Sequence, residues 1–320
     1  MFENFKKQFP DLVLKGNEPL KNHTTFKIGG PAKFFAEVNQ TDILKALLTE
    51  AKANNIAWTM IGGGSNILAS DGGFNGLVIK IIPSEMTIED KVVKVWAGNY
   101  LAVVLQSVLS AGLTGMEFSA GIPGTIGGAV KGNAGTYGED MSKVVETVNF
   151  LDENFAEKIF SKNECGFAYR HSIFKEHLDW LITSVVLKLE RGDLEASKKL
   201  VMERLQKRTC QPPQPSAGCI FKNIEWTDEI GEKITKLGWE LKPEFKTHGK
   251  IPTAWIIENL DLKGMTMGKV KISEKHANYL VNTGDATADE VVQLISLVKQ
   301  KARDEAGIQL HEEVRYLGFE

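Results

Sequence analysis

The stretch Ile-Gly-Gly-Gly-Ser-Asn-Ile-Leu at residues 61–68 follows a short apolar run, Trp58–Ile61, and breaks it with a triple glycine. Three consecutive glycines have no Cβ, so the backbone can approach an anion closely and adopt positive φ. Successive amides in such a turn form an anion-binding concavity, to which Ser65 and Asn66 add side-chain donors. This stretch predicts a phosphate-binding turn, with a purely structural turn as the alternative.

A second glycine-rich turn, Gly-Ile-Pro-Gly-Thr-Ile-Gly-Gly-Ala, occupies residues 121–129. The surrounding segment 115–138 has eight glycines in 24 residues, and we expect it to be a long functional loop. Neither turn is a G-x-G-x-x-G opening a helix or a G-x-x-x-x-G-K-[ST], so the spacing excludes the Rossmann and P-loop patterns. Together the two turns favour a bound dinucleotide.

Composition and charge exclude several classes of function. With 320 residues, 42% apolar and 25% charged, the chain indicates a globular protein of two domains, or of one large domain with an insertion. Its net charge of -3 provides no general attraction for nucleic acid or an anionic membrane. There is no signal-peptide core at the N-terminus and no apolar run of ~18 residues, so we expect a cytoplasmic protein.

Cysteine and histidine placement gives no support for a disulfide framework or a metal centre. Cys165, Cys210 and Cys219 cannot all pair, and no C-x-x-C occurs. The six histidines lack the H-x-x-x-H spacing, and no G-x-S-x-G indicates a serine hydrolase. The sequence predicts no metal and a reducing compartment.

Hydrophobic periodicity predicts an α+β architecture with strands of both orientations. Helices are predicted over residues 41–54 and 100–113, after an N-cap at Asp193, and after the capping box Thr287–Glu290. Strands are predicted at residues 58–61, 77–82, 92–97, 144–151, 181–189, 218–223, 278–281 and 313–317. Gln-Pro-Pro-Gln-Pro-Ser at residues 211–216 is a stiff linker that marks a change of domain.

Three side chains are candidates for chemistry. Arg170 can hold a carboxylate through two parallel hydrogen bonds, unless it is an ordinary surface arginine. Cys219 follows small residues that leave room for a ligand, and a thiol can donate a proton; the alternative is inert packing. Glu313 can act as an acid or orient a substrate, or simply pair with Arg315 or a lysine.

Basic and amide side chains close to these candidates suit phosphate binding. Lys222 and Asn223 follow Cys219, while Lys207 and Arg208 precede the proline-rich linker. Charged residues at helix ends are usually just solvated, and that alternative stays open.

Eight motifs occur in an order that resembles a known family. They are Thr-Thr-Phe-Lys-Ile-Gly-Gly-Pro-Ala (24–32), residues 61–68, Gly-Met-Glu-Phe-Ser-Ala-Gly-Ile-Pro-Gly-Thr-Ile-Gly-Gly-Ala (115–129), Asn-Ala-Gly-Thr-Tyr-Gly (133–138), Tyr-Arg-His-Ser (169–172), Ser-Ala-Gly-Cys-Ile-Phe-Lys-Asn (216–223), Ser-Glu-Lys-His-Ala-Asn (273–278) and Glu-Val-Arg (313–315). From about residue 20 onward, the chain resembles UDP-N-acetylenolpyruvoylglucosamine reductases, the flavoenzymes that make UDP-N-acetylmuramate for bacterial peptidoglycan.

The resemblance implies a domain plan and a set of ligands. It implies an FAD-binding domain of the p-cresol methylhydroxylase or vanillyl-alcohol oxidase type at residues 1–190, with its core at about 24–190, and a UDP-sugar domain at 191–320. NADPH is the implied hydride donor and UDP-N-acetylglucosamine enolpyruvate the implied substrate, in a monomer. The glycine segments contain no histidine or cysteine as a covalent anchor, so we expect dissociable FAD.

The resemblance also assigns residues to ligands. The FAD set is Ile28, Gly29, Gly62, Gly63, Gly64, Ser65, Asn66, Gly121, Ile122, Pro123, Gly124, Thr125, Gly127, Gly128 and Ala129. The substrate set is Tyr169, Lys207, Lys222 and Asn223.

The implied chemistry explains the catalytic residue types. Hydride from reduced FAD goes to the vinyl CH₂ carbon, and Arg170 and Glu313 stabilise the enolate that results. The family has a serine as proton donor where this chain has Cys219, and a thiol is the more acidic group. Two further departures are a charged segment, Glu225–Lys250, and Ala254-Trp255 in place of a small Ala-Gly pair.

Two other functions compete with this interpretation. A related flavin oxidase of an alcohol or sugar would share the FAD domain but need neither a proton donor at position 219 nor a UDP-binding domain. An inactive nucleotide-sugar binding protein would retain ligand binding without turnover driven by NADPH.

Overall fold

A computed structural model describes residues 9–319, which form two compact units. Unit 1 contains the chain up to Glu18, then Ala32–Gly63 and Phe74–Thr209. Unit 2 contains Pro19–Pro31, Gly64–Gly73 and the chain from Cys210 onward. The last passage between units, after Thr209, coincides with the start of the predicted linker. Division into functional domains at residues 190 and 191 stays a prediction.

The strands and helices are numbered in chain order. The strands are β1 Val13–Pro19, β2 Pro31–Val38, β3 Trp58–Ile61, β4 Ile67–Ala69, β5 Phe74–Ile81, β6 Met86–Glu89, β7 Val92–Trp96, β8 Leu113–Thr114, β9 Gly135–Thr136, β10 Glu139–Asp140, β11 Val145–Leu151, β12 Glu157–Ser161, β13 Leu181–Lys188, β14 Glu190–Arg191, β15 Ser216–Cys219, β16 Ile224–Glu225, β17 Lys250–Ile251, β18 Thr266–Met267, β19 Val270–Ile272, β20 Tyr279–Asn282 and β21 Arg315–Leu317. The α-helices are α1 Thr41–Ala53, α2 Leu101–Ser110, α3 Ile126–Gly132, α4 Leu194–Lys207, α5 Asp228–Lys236, α6 Pro243–Thr247, α7 Thr253–Asn259 and α8 Ala288–Ala306.

Unit 1 is built on two sheets. One has the strand order β1-β2-β5-β3, with β2 and β3 parallel to β5; the other is antiparallel, with the order β12-β11-β13-β7-β6. Leu77, Val78 and Ile79 of β5 are all fully buried, so this strand is covered on both faces, as parallel strands usually are. The triple glycine begins where β3 ends, beside this buried strand.

Unit 2 has its own core around an antiparallel sheet of order β15-β20-β19-β18. Helix α8 packs an apolar stripe of Val291, Ile295, Val298 and Ala302 into that core. Its N-terminus has the predicted capping box, in which Thr287 and Glu290 bond each other's main-chain amides. The capping box and the apolar stripe therefore place α8 as the sequence predicted.

The Glu225–Lys250 segment, one of the two departures from the family, is a closed excursion from unit 2. Its ends pair as β16 and β17, so the chain leaves and returns at the same point. Trp239 and Phe245 within it pack edge-on against Trp255, with ring centroids 5.7 and 5.2 Å apart. Trp255 therefore supplies the ring against which the Glu225–Lys250 segment packs. The inserted segment and the tryptophan at position 255 form one structural feature.

The fold class predicted from the sequence is confirmed: the chain is α+β, with parallel and antiparallel strands. The segment at 115–138 is not one long loop, because its middle forms helix α3. The strand predicted over residues 218–223 ends at Cys219, and the last strand begins at Arg315. Over the described residues, no helix combines the length and apolarity needed to cross a membrane.

Candidate active site

The start of the first glycine-rich turn, at Gly62 and Gly63, lies against the second glycine-rich turn in unit 1. A Cβ added to Gly62 would lie 2.4 Å from Thr125 Oγ1, and one added to Gly63 would lie 3.0 Å from the Cα of Gly124. Gly124 has a φ of +120°, which residues with side chains rarely adopt. A side chain at Gly62 would collide with the Thr125 side chain, and one at Gly63 would press on the backbone of Gly124.

Amides along these touching turns are available to an anion. Four residues donate no hydrogen bond to the part of the chain that the structure describes: Gly62, Gly63, Gly121 and Gly124. All four are at least partly exposed, as are Ile122 and Pro123 between them. Partly exposed amides that make no hydrogen bond suit phosphate oxygens, so these residues fit the pyrophosphate of FAD.

The next residues of the second turn already have partners. The Gly127 amide donates to the Ala97 carbonyl at 2.8 Å, and the Gly128 amide donates to Thr125 Oγ1 at 3.4 Å. The Ala129 amide closes the first turn of α3 on the Thr125 carbonyl. Thr125 is therefore the N-cap of α3. These residues support the turn, and their contact with FAD stays a prediction.

The remaining residues of the predicted FAD set lie in unit 2: Ile28, Gly29, Gly64, Ser65 and Asn66. Ile28 is buried in the core of that unit, and its carbonyl accepts a hydrogen bond from Thr24 Oγ1. A Cβ on Gly29 would lie 2.6 Å from the Cβ of Ala69, so glycine is required there by packing. The Gly64 carbonyl accepts the Thr25 amide at 3.1 Å.

Asn66 connects the first glycine turn to Glu313 within unit 2. Its Nδ2 donates to the Glu313 carbonyl at 3.0 Å, and its own carbonyl accepts the Arg315 amide at 3.0 Å. The parallel pairing of β4 with β21 continues this contact, with Ile67 opposite Arg315. Asn66 therefore positions the main chain of Glu313, a role that its sequence motif did not indicate.

Arg170 lies at the corner of a tight turn beside the end of the glycine-rich segment. Reciprocal backbone hydrogen bonds of 3.1 Å between Ala168 and His171 close the turn, and Arg170 has a φ of +55°. Asn133 Nδ2 donates to the Ala168 carbonyl, and Arg170 Nη1 donates to the Gly135 carbonyl, both at 3.0 Å. A left-handed arginine is strained, and functional sites often retain such strain. The structure thus brings Arg170 to the glycine-rich segment of unit 1.

Cys219 and Glu313 are brought together in unit 2. Cys219 ends β15, and the carbonyl of the next residue, Ile220, accepts the Glu313 amide at 2.7 Å. Phe221 and Glu312 form an antiparallel bridge just beyond. Both Cys219 and Glu313 are partly buried, as expected of groups that act on a bound ligand. The structure therefore places the predicted proton donor and the predicted carboxylate on neighbouring backbone positions.

Asn278 is a residue of this site that the sequence reasoning missed. It is 2% exposed, its Nδ2 donates to the Phe221 carbonyl at 2.8 Å, and its Oδ1 accepts the Phe221 amide at 3.0 Å. Its carbonyl accepts the Ile220 amide at 2.9 Å. A side chain that takes the place of a strand partner leaves no periodic pattern in the sequence. The signal that could have indicated Asn278 was therefore its position in the motif Ser-Glu-Lys-His-Ala-Asn.

The predicted substrate contacts divide between the two units. In unit 1, Lys207 Nζ lies 5.2 Å from the ring centroid of the exposed Tyr137, and the Tyr169 ring lies 5.4 Å from the Arg170 guanidinium carbon. In unit 2, the main-chain carbonyl of Lys222 accepts Thr253 Oγ1, and Asn223 Oδ1 accepts the Thr253 amide. Asn223 therefore helps to start α7, and its contact with substrate stays a prediction.

The three thiols have different surroundings. Cys165 is fully buried, and burial raises the pKa of its thiol to about 12. Cys210 is exposed and Cys219 is partly buried. Among the described residues, no group of three histidine, cysteine, aspartate or glutamate side chains could hold a metal ion.

Comparison with known proteins first defines the class. A model of the FAD binding domain matches residues 32–154, which include the first turn and all of the second. A model of the C-terminal domain of UDP-N-acetylenolpyruvoylglucosamine reductase matches residues 211–317, which include Cys219, Asn278 and Glu313. The fold and the glycine turns thus define an oxidoreductase with an FAD-binding domain.

Full-length relatives then identify the family. The UDP-N-acetylenolpyruvoylglucosamine reductase of Solibacter usitatus is 37% identical over 312 residues, covering 97% of this chain and 98% of the relative. That of Caldanaerobacter subterraneus subsp. tengcongensis is 37% identical over 305 residues, covering 94% and 93%. The crystal structure of the Thermus caldophilus enzyme matches with a TM-score of 0.75 at 30% identity, covering 96% of this chain and 98% of that one. The chain belongs to the UDP-N-acetylenolpyruvoylglucosamine reductase family, whose members act in peptidoglycan synthesis.

Proposed function

We propose that this enzyme reduces UDP-N-acetylglucosamine enolpyruvate to UDP-N-acetylmuramate, with non-covalent FAD as cofactor and NADPH as hydride donor. The observation that carries the proposal is the hydrogen bond from the Glu313 amide to the Ile220 carbonyl, which holds Glu313 beside Cys219. A carboxylate beside a proton donor is what the addition of hydride and proton to an enolpyruvyl group requires. The abutting glycine turns supply the support for FAD.

The chain's own residues account for the handling of charge. When bound and reduced by NADPH, FAD would supply the hydride for the vinyl CH₂ carbon of the substrate and would be reoxidised. Hydride addition places a negative charge on the neighbouring carbon of the substrate, which bears the carboxylate. This charge spreads onto the substrate's carboxylate, which gives an enolate. The Arg170 guanidinium, oriented by its bond to the Gly135 carbonyl, is suited to stabilise that charge, and Glu313 is its assigned partner.

Cys219 is the group that completes the reduction. Its Sγ–H bond breaks as the proton forms a new C–H bond at the carbon that bears the carboxylate. The added hydride and proton together saturate the carbon–carbon double bond. A thiol has a reference pKa near ~8.5, so it is mostly protonated at neutral pH and can act as a general acid.

An anaerobic visible spectrum of the purified protein tests this function. NADPH is expected to bleach the flavin band, and UDP-N-acetylglucosamine enolpyruvate to restore it. Bleaching without restoration, together with rapid turnover of a simple alcohol in oxygen, would establish the oxidase instead. Binding of flavin and sugar nucleotide without bleaching by NADPH would indicate an inactive binding protein. Cytoplasmic location and the monomeric state stay predictions, and light scattering at assay concentration checks the latter.

A further inference from the structure

We propose that Asn278 is a positioning residue, which holds the Cys219 thiol in place for proton transfer by hydrogen-bonding the main chain of Phe221. The inference rests on the proposed function, because it takes Cys219 as the proton donor. Asn278 acts through Cys219 and is given no contact with substrate. The two hydrogen bonds between the Asn278 side chain and Phe221 are called the Asn278 clamp below.

The clamp begins where the regular sheet ends. Cys219 is paired with Tyr279, but the pairing of β15 is irregular before it, and Gly218 has a φ of +78°. Glycine restrains the backbone weakly, so the chain before Cys219 cannot fix the thiol by itself. After Cys219 the ladder stops, and the Asn278 clamp takes the place of a strand partner for Phe221.

Only a side chain with both a donor and an acceptor can form this clamp. The asparagine amide group supplies a donor to the Phe221 carbonyl and an acceptor for the Phe221 amide. Phe221 and Asn278 are each 2% exposed, so water cannot replace either bond. Loss of one partner would leave a buried polar group unsatisfied, and the backbone beside Cys219 would have to move.

The same region also sets the spacing between Cys219 and Glu313. The Ile220 amide donates to the Asn278 carbonyl, while the Ile220 carbonyl accepts the Glu313 amide. The main-chain amide of Asn278 in turn donates a hydrogen bond to His276 Nδ1 at 3.3 Å. Burial lowers the pKa of His276, which favours the neutral ring that can accept this bond. Asn278 is therefore the centre of a bonded set that includes the backbone after the predicted proton donor and, through Ile220, the main-chain amide of Glu313.

The matched control is at the end of strand β20, which begins directly after Asn278. Asn282 is 6% exposed, its Nδ2 donates to the Phe26 carbonyl at 3.1 Å, and its Oδ1 accepts the Gly284 amide at 2.9 Å. It is thus a second buried asparagine that clamps main chain, but it bonds neither Phe221 nor Ile220. Asn278→Asp and Asn282→Asp each replace the side-chain donor and keep an acceptor.

The test separates the two half-reactions by anaerobic stopped flow at saturating FAD. In Asn278→Asp, the limiting rate of flavin reoxidation by UDP-N-acetylglucosamine enolpyruvate should fall by ~10-fold or more, as a small misplacement of a reacting group can cost up to ~100-fold. Reduction of the flavin by NADPH should stay within ~2-fold of wild type, since it needs no proton from Cys219. The solvent deuterium isotope effect on reoxidation should rise, because proton transfer becomes slower. Asn282→Asp should change neither the rate of flavin reduction by NADPH nor the rate of flavin reoxidation by the sugar nucleotide.

Each outcome decides one point. Equal losses in both half-reactions, the same selective loss in Asn282→Asp, or unchanged reoxidation in Asn278→Asp would overturn the positioning role. If wild-type flavin is reduced by NADPH but never reoxidised by the sugar nucleotide, the proposed function itself fails. If Asn278→Asp does not fold, Asn278→Ser, which keeps a hydroxyl as donor or acceptor, takes its place in the same comparison.

A second readout needs neither cofactor nor substrate. In a Cys210→Ser background, Cys219 is the accessible thiol, because burial holds Cys165 protonated with its pKa raised to about 12. Iodoacetamide should alkylate Cys219 faster in Asn278→Asp than in its parent, because the backbone that follows the thiol then loses the hydrogen bond from Asn278 Nδ2 to the Phe221 carbonyl. Asn282→Asp should react at the parent rate, and equal rates in all three proteins would count against the clamp.

Discussion

The main-chain amide of Glu313 donates a hydrogen bond of 2.7 Å to the carbonyl of Ile220, the residue after Cys219. This bond joins the end of the chain to the strand that carries the predicted proton donor. Asn66 completes the arrangement by donating to the Glu313 carbonyl at 3.0 Å. Both main-chain groups of Glu313 are therefore held by hydrogen bonds.

Replacement of Cys219 should separate hydride transfer from proton transfer. Cys219→Ala should lower the rate of substrate reduction by ~10²–10⁴-fold, the usual contribution of a general acid, while NADPH still bleaches the flavin. Cys219→Ser should retain substantial activity, because a serine hydroxyl can also donate a proton. Stopped-flow rates of the two half-reactions check both variants, with the exposed Cys210→Ala as control. An unimpaired Cys219→Ala enzyme would remove this residue from the mechanism.

Replacement of Arg170 should act on the enolate and not on the fold. Arg170→Lys keeps the charge but loses the planar fork, so flavin reoxidation should slow by ~10²–10³-fold, as for loss of one oxyanion donor. The bond from Arg170 Nη1 to the Gly135 carbonyl would also be lost. Arg303→Lys, at an exposed ion pair with Asp304, is the control and should have wild-type rates. A similar slowing in both variants would show that the effect is not specific to the site.

A side chain at the glycine turn should weaken both stability and FAD binding. Gly62→Ala places a Cβ 2.4 Å from Thr125 Oγ1, and such overpacking costs ~1–3 kcal/mol. Gly132→Ala meets no heavy atom within 4 Å at the end of α3, so this control should gain up to ~1 kcal/mol from helix propensity. Chemical denaturation gives the free energy of unfolding, and quenching of flavin fluorescence gives the Kd for FAD. Wild-type affinity for FAD in Gly62→Ala would argue against binding of the FAD pyrophosphate at the two glycine-rich turns.

Cys165 should make the stability fall at alkaline pH. Burial raises the pKa of the native thiol to about 12, whereas an unfolded thiol ionises near ~8.5. Between these values the native state binds more protons than the unfolded state, so the free energy of unfolding decreases as pH rises. The contribution is complete below pH ~8.5 and is lost towards about pH 12. Denaturant titrations should therefore show a shallower alkaline decline for Cys165→Ala than for wild type, and identical slopes would contradict this origin.

Local signals in the sequence predicted the starts of helices and the position of the first glycine turn, because each depends on neighbouring residues. The capping box Thr287–Glu290 starts α8, and Asp193 caps α4 through the amides of Glu195 and Ala196. The triple glycine ends strand β3 after Ile61, as the sequence predicted. These features depend on residues close in sequence, so composition and spacing are enough to predict them.

Other features depend on partners distant in sequence. Strand β15 ends at Cys219 instead of continuing to Asn223, because beyond it the side chain of Asn278 bonds Phe221 where a strand would. The helix within 115–138 forms because Thr125 caps it and the Gly127 amide bonds the Ala97 carbonyl. Asn278 and Ala97 are distant in sequence from the residues that they bond, so no local pattern reveals these contacts, whereas the Thr125 cap is local.

The sequence by itself determined the family, the α+β class, the position of the glycine turns and the residue types available for chemistry. Those properties follow from order, spacing and periodicity along the chain. Only the tertiary structure decided that the two turns touch at Gly62 and Thr125, and that Glu313 lies beside Cys219 through Ile220. The physical reason is that hydrogen bonds and close packing join residues distant in sequence, and their geometry exists only once the chain has folded.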